Sequence, residues 1–93
     1  LWASYPAKSD DLSKSALKAA SISGDRDGLS TPAKIAASRA LLPPSTTWTV
    51  IAGGNHAQFG WYGPQKGDYA ADIAPEAQQD SIVAASVALL RTL

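Results

Sequence analysis

Thr47-Trp48-Thr49-Val50-Ile51-Ala52-Gly53-Gly54-Asn55-His56 is the stretch on which the fold of this chain turns. Its first six residues are dense in β-branched and aromatic side chains, which suit a pleated, half-buried surface, so the run predicts a strand. Two glycines then open a turn, and the only histidine of the chain stands at its end. Where sheets are wound with helices, ligands and reactive groups gather beyond the carboxyl ends of the strands. Histidine is also the side chain best suited to move protons near neutral pH. His56 is therefore the first candidate catalytic residue.

Upstream, the same pattern recurs in weaker form. Leu17 to Ser23 predicts a strand of small residues, placed mainly by the glycine that follows it. Gly24-Asp25-Arg26-Asp27-Gly28 then predicts a turn that exposes two carboxylates. Thr31-Pro32 is a good helix start, with Thr31 as N-cap and proline at the first helical position. That helix is expected to run to about Leu42, with Ile35, Leu41 and Leu42 as a rough apolar face, until Pro43-Pro44 stops it. Earlier still, Leu1 to Tyr5 predicts a strand closed by Pro6, and Asp10-Asp11 is placed to cap a short helical turn. The chain opens with no initiator methionine or targeting signal before this strand, so it is expected to be the C-terminal piece of a longer protein.

Downstream, Ala57 to Ile73 gathers Phe59, Gly60, Trp61, Tyr62, Gly63, Pro64, Gly67 and Asp68 in one long irregular segment. Long ordered loops in compact domains are often functional. From Pro75 to the end a helix is expected, with Ile82, Val83, Val87, Leu89, Leu90 and Leu93 opposite Glu76, Gln78, Gln79, Asp80 and Arg91. Ala74 is a poor N-cap for it. Strands alternating with helices predict a three-layer α/β fold. The expectation is a partial, mostly parallel sheet of about three strands, helices on both faces, and one domain over residues 1–93.

The bulk composition excludes several classes. A chain of 93 residues has room for one small domain, whose burial is marginal. Its formal net charge of zero leaves no basic footprint for nucleic acid. Apolar runs such as Ile82 to Ala85 are far too short to span a bilayer. The absence of cysteine removes disulfides, thiol catalysis and zinc–thiolate sites. A soluble chain is expected, with its compartment unknown.

Metal and phosphate readings fail on spacing. With Gly28 at position 6 of a calcium loop, Lys34 falls at position 12, where a bidentate glutamate is required. One histidine without cysteine makes no zinc site. The glycines beside His56 match neither G-x-G-x-x-G nor a P-loop. No metal and no cofactor are expected.

Asp27 and His56 are separated by enough chain for one helix and one strand. A right-handed crossover between neighbouring parallel strands sets their C-terminal loops side by side, so a carboxylate and an imidazole could meet there. The alternative is an Asp-Gly turn near an unrelated loop histidine, and such turns are common. Phe59, Trp61 and Tyr62 are candidates for lining a substrate pocket beside His56. The competing role is packing the loop onto the closing helix, which the large area of aromatic rings favours. Asn55 is expected to brace its own loop through side-chain hydrogen bonds to the backbone.

The run Gly24-Asp25-Arg26-Asp27-Gly28-Leu29-Ser30-Thr31-Pro32 resembles the acid loop of α/β-hydrolases, where a glycine, two residues, an aspartate and a following proline recur after a strand. Ile51 to Gly60 is similar to their histidine loop, and the closing helix is similar too. The likeness is nearest to the bacterial dienelactone-hydrolase-like branch. It implies the C-terminal portion of an α/β-hydrolase fold, with Asp27 as triad acid and His56 as general base, in the Ser…Asp…His order of the superfamily. Asp25 is off register and is expected to be a solvated turn residue. The family's nucleophile sits in a G-x-S-x-G elbow, and Ser4, Ser21, Ser23 and Ser30 all lack that frame. The resemblance therefore implies a nucleophile upstream of Leu1 or on a complementing chain, an ester-like small-molecule substrate, and no activity for residues 1–93 alone. A non-catalytic binding or scaffold domain that kept the architecture is the alternative.

Overall fold

A computed structural model describes all of residues 1–93. Two parallel strands form its centre: β1, Ala20–Gly24, and β2, Thr47–Ile51, in register from Ala20 opposite Thr47 to Gly24 opposite Ile51. The crossover between them carries α1, Pro32–Ala37, followed by a 3-10 turn at Ser38–Leu41. After β2 come a 3-10 turn at Ala57–Phe59, a long loop, and the closing helix α2, Pro75–Leu90. No helix is long and apolar enough to cross a membrane.

Strand strength and strand burial run opposite to each other. β1, the sequence Ala-Ser-Ile-Ser-Gly, is buried at every position. β2, with the stronger β-formers, has Thr47 and Val50 exposed. Small side chains let neighbouring elements press closely on β1, whereas β-branched side chains stabilise the more open outer strand. Side chains alternate across the sheet. Ile22 and Ile51 meet Ile82 of α2 on one face, with Phe59, Ile73 and Ala85 packed around them. On the opposite face the Arg39 guanidinium, from the turn after α1, stacks 4.4 Å from the Trp48 ring centroid.

Several expectations need correction. The first segment pairs with β1 through a single parallel bridge, Trp2 to Ile22, and is not a full strand. Ala3 takes a left-handed φ of 48° immediately after its amide donates to Ile22 O, which turns the chain away before Pro6. The sheet thus has two strands and one bridge, against an expected three strands. Asp11 accepts from the Ser13 amide at 2.9 Å and makes a local turn with no helix behind it.

Thr31 does cap α1, accepting from Lys34 N at 3.3 Å with Pro32 following it. The α-helix gives way to 3-10 geometry at Ser38, whose hydroxyl bonds back to Ile35 O at 2.6 Å. α2 ends at Leu90, short of the chain end, and Ala74 provides no side-chain cap. Of the apolar stripe expected on α2 only Ile82 is fully buried, while Val83, Leu90 and Leu93 are exposed. The inward line of the helix is Gln78, Ile82, Ala85 and Leu89, spaced four, three and four, and it begins with a glutamine.

Candidate active site

The parallel register ends β1 and β2 together, at Gly24 and Ile51, so the turns that follow leave the same edge of the sheet. They are joined by main-chain contacts at once. Arg26 N donates to Gly54 O at 2.8 Å, and Asp25 N donates to Ile51 O at 3.3 Å. Glycine is needed for this approach, because a Cβ on Gly24 would stand 2.4 Å from Gly54 O. Asp25 is exposed, yet it is more than a solvated turn residue: its Oδ1 accepts from Gly53 N at 2.8 Å across the two turns. Gly53 itself has φ +77°, a conformation that favours glycine.

Two side chains meet above this junction. His56 Nδ1 lies 2.9 Å from Asp27 Oδ2. Asp27 is 0 % exposed, contrary to the expectation of an exposed carboxylate. Its other oxygen, Oδ1, accepts from Leu29 N at 2.8 Å and Ser30 N at 2.7 Å, which fixes the plane of the carboxylate. A carboxylate oxygen accepts from an imidazole N–H, so the bond is made by a ring that donates from Nδ1; in the neutral ring the lone pair then sits on Nε2. The imidazole is 29 % exposed, and Asp27 is its one side-chain hydrogen-bond partner. No serine hydroxyl in the chain bonds to it; Ser30 Oγ donates to Ala3 O at 2.6 Å instead.

Two residues that carry the site were missed as such in the sequence. Gln78 of α2, placed there on the polar face, is 0 % exposed. Its Nε2 donates to Asn55 O at 2.7 Å, while its Oε1 accepts from Asn55 N at 3.2 Å and Gln58 Nε2 at 2.8 Å. The histidine turn is thus paired to the closing helix through a side-chain amide. The signal was available in spacing, since Gln78 stands four residues before Ile82.

Asp68 is the other. Its Oδ1 accepts from Gly28 N at 3.0 Å, His56 N at 3.2 Å and Tyr69 N at 3.0 Å, and its Oδ2 accepts from Ala57 N at 2.9 Å. Burial pushes this carboxyl up, but the four backbone donors outweigh it and hold the group below the usual carboxylate range. Asn55 braces its loop as expected, accepting from Gln58 N at 3.0 Å, and it also donates to Tyr69 O at 2.9 Å.

The three aromatic candidates do not act together. Phe59 packs against the isoleucine cluster. Trp61 and Tyr62 are 67 % and 75 % exposed. A cavity of about 550 Å³ lies under the long loop, and Trp61 lines it, but His56, Phe59 and Tyr62 do not. No group of three or more acidic or imidazole side chains is arranged to hold a metal ion.

No curated protein and no solved structure matches this chain. The sequence model described as the alpha/beta hydrolase family, by contrast, matches residues 1–80, nearly the full length over which the acid and histidine turns are built. With its parallel strands, crossover helix and closing helix, the chain belongs to the α/β-hydrolase family.

Proposed function

We propose that residues 1–93 are the C-terminal portion of a serine hydrolase acting on ester-like carbonyls, with Asp27 as the acid and His56 as the base of a Ser-His-Asp triad. The observation that carries this reading is the 2.9 Å bond between Asp27 Oδ2 and His56 Nδ1, made by a buried carboxylate whose other oxygen is already held by two backbone amides. That arrangement supports a tautomer in which Nδ1 donates to the carboxylate and Nε2 serves as the general base. The nucleophile is assigned to a segment before Leu1 or to a complementing chain, because no serine here has a glycine frame or bonds to His56. The resemblance of the acid and histidine loops to a bacterial dienelactone-hydrolase-like branch supports ester-like substrates in this reading.

In the reaction so assigned, Nε2 of His56 takes the serine proton as the oxygen attacks the carbonyl carbon. The same nitrogen returns that proton to the leaving group, and Asp27 stabilises the imidazolium in between. No cofactor takes part.

The test is steady-state kinetics of the full-length protein on short-chain nitrophenyl esters. His56→Ala and Asp27→Asn are each expected to lower kcat by about 10³- to 10⁴-fold with a thermal melt close to that of the parent. Wild-type rates in both variants would remove the assignment. Absence of esterase activity in the parent would favour the non-catalytic binding domain, which also predicts no G-x-S-x-G elbow in the preceding sequence.

A further inference from the structure

We propose that Asp68 is a positioning residue for the Asp27–His56 pair: by accepting from Gly28, His56 and Ala57 amides together, it holds the acid turn and the histidine turn at the spacing their side-chain bond requires. Gly28 follows Asp27 directly, and the His56 and Ala57 amides flank the imidazole. One carboxylate therefore grips the backbone on both sides of the pair, at 3.0, 3.2 and 2.9 Å.

The loop that carries Asp68 is built to reach this point. Gly67 has φ +89°, which brings the following residue over the acid turn. A Cβ on Gly28 would stand 2.3 Å from Gly67 O and 3.0 Å from the Asp68 Cα, so the two backbones are in direct contact. The low-lying titration of Asp68 agrees with a carboxylate kept ionised by amide donors.

Loss of Asp68 is separable from loss of the fold. On the sheet side the same two turns are joined independently, by Arg26 N to Gly54 O and by Gly53 N to Asp25 Oδ1. Gln78 holds Asn55 from below. Removing the Asp68 carboxylate leaves these ties in place and frees only the outer side, where Gly28, His56 and Ala57 present their amides. The turns would then stay on the sheet while the angle between carboxylate and imidazole drifts. A displacement of that kind is costly to proton transfer and nearly neutral to substrate binding.

This inference rests on the triad reading for its kinetic readout, but not for its spectroscopic one. In the full-length protein, Asp68→Ala and Asp68→Asn are compared with the parent by kcat and KM on a short-chain nitrophenyl ester, by the low-field Nδ1–H proton resonance of His56, and by thermal melting. Asp68→Ala is expected to melt cooperatively, to lose the Nδ1–H resonance to exchange, and to lower kcat by about 10- to 100-fold with KM within about twofold. Asp68→Asn is expected to recover part of both signals, because an amide oxygen still accepts from Gly28 and His56 while its NH₂ cannot accept from Ala57. An Asp68→Ala protein with the resonance intact and kcat within about twofold of the parent overturns the proposal. So does failure of both variants to fold, which would make Asp68 a stability residue only. Should the parent show no esterase activity, the triad reading fails by itself and the Nδ1–H comparison still decides the role of Asp68.

Discussion

A wholly buried carboxylate needs donors on both oxygens, and Asp27 finds them within three residues of chain and one imidazole. Asp68, only partly buried, is also held by several amides, drawing its donors from three separate parts of the sequence. Its lowered titration has a consequence for stability. A carboxylate held below its unfolded value stabilises the fold above that value, and this contribution is lost as pH falls through the folded one. The stability advantage of the parent over Asp68→Asn is therefore expected to shrink as pH is lowered through and below the ordinary carboxylate value of 3.8, read from urea midpoints. Asp27 and His56, across the same amides, are common to both proteins. A pH-independent difference would mean the Asp68 amide contacts do not depend on its charge. Asp27 and His56 were legible in the sequence because each follows a strand within a short glycine-marked turn. Asp68 was not, since its key partner Gly28 lies 40 residues away.

At the scale of elements, α2 separates what periodicity can and cannot say. A helix from Pro75 was evident from its apolar content, but its inward side was not. With an apolar residue at most positions near the end, several stripes fit the sequence equally, and contact with β1 and β2 selects the one through Gln78 and Ile82. Gln78→Leu is expected to cost about 1–3 kcal/mol, because it leaves the buried N–H and C=O of Asn55 without partners. Ile82→Ala is expected to cost about 2–5 kcal/mol from the isoleucine cluster. Val83→Ala, on the exposed side, is expected to stay within about 0.5 kcal/mol. Chemical denaturation of the three variants checks this order, and a large loss at Val83 would contradict the helix orientation. The strands teach the complementary lesson: β2 was evident from its β-branched residues, whereas β1 was placed by its glycine, and only packing explains why the weaker strand is the inner one.

The molecule as a whole rests on a narrow base. Three isoleucines form the fully buried apolar cluster, and the sheet has two strands. Sheets this small gain independent stability only with further strands or large apolar cover. Trp2, Val50, Trp61 and Leu90 meanwhile expose large apolar surfaces. Residues 1–93 expressed alone are therefore expected to elute as aggregates in size-exclusion chromatography and to melt without a cooperative transition. A monomeric peak with a sharp melt would show that the cluster suffices. The alternation of strand and helix, the α1 cap, the loss of helix before Pro43 and the two turns that bear Asp27 and His56 were set by the sequence alone, because each depends on residues adjacent in the chain. The truncation of the first strand at Ala3, the inward face of α2, the burial of Asp27 and Gln78, and the convergence of three amides on Asp68 were decided only by tertiary structure. Each of these depends on which distant backbone groups arrive within hydrogen-bonding or van der Waals distance, and local propensity carries no information about that.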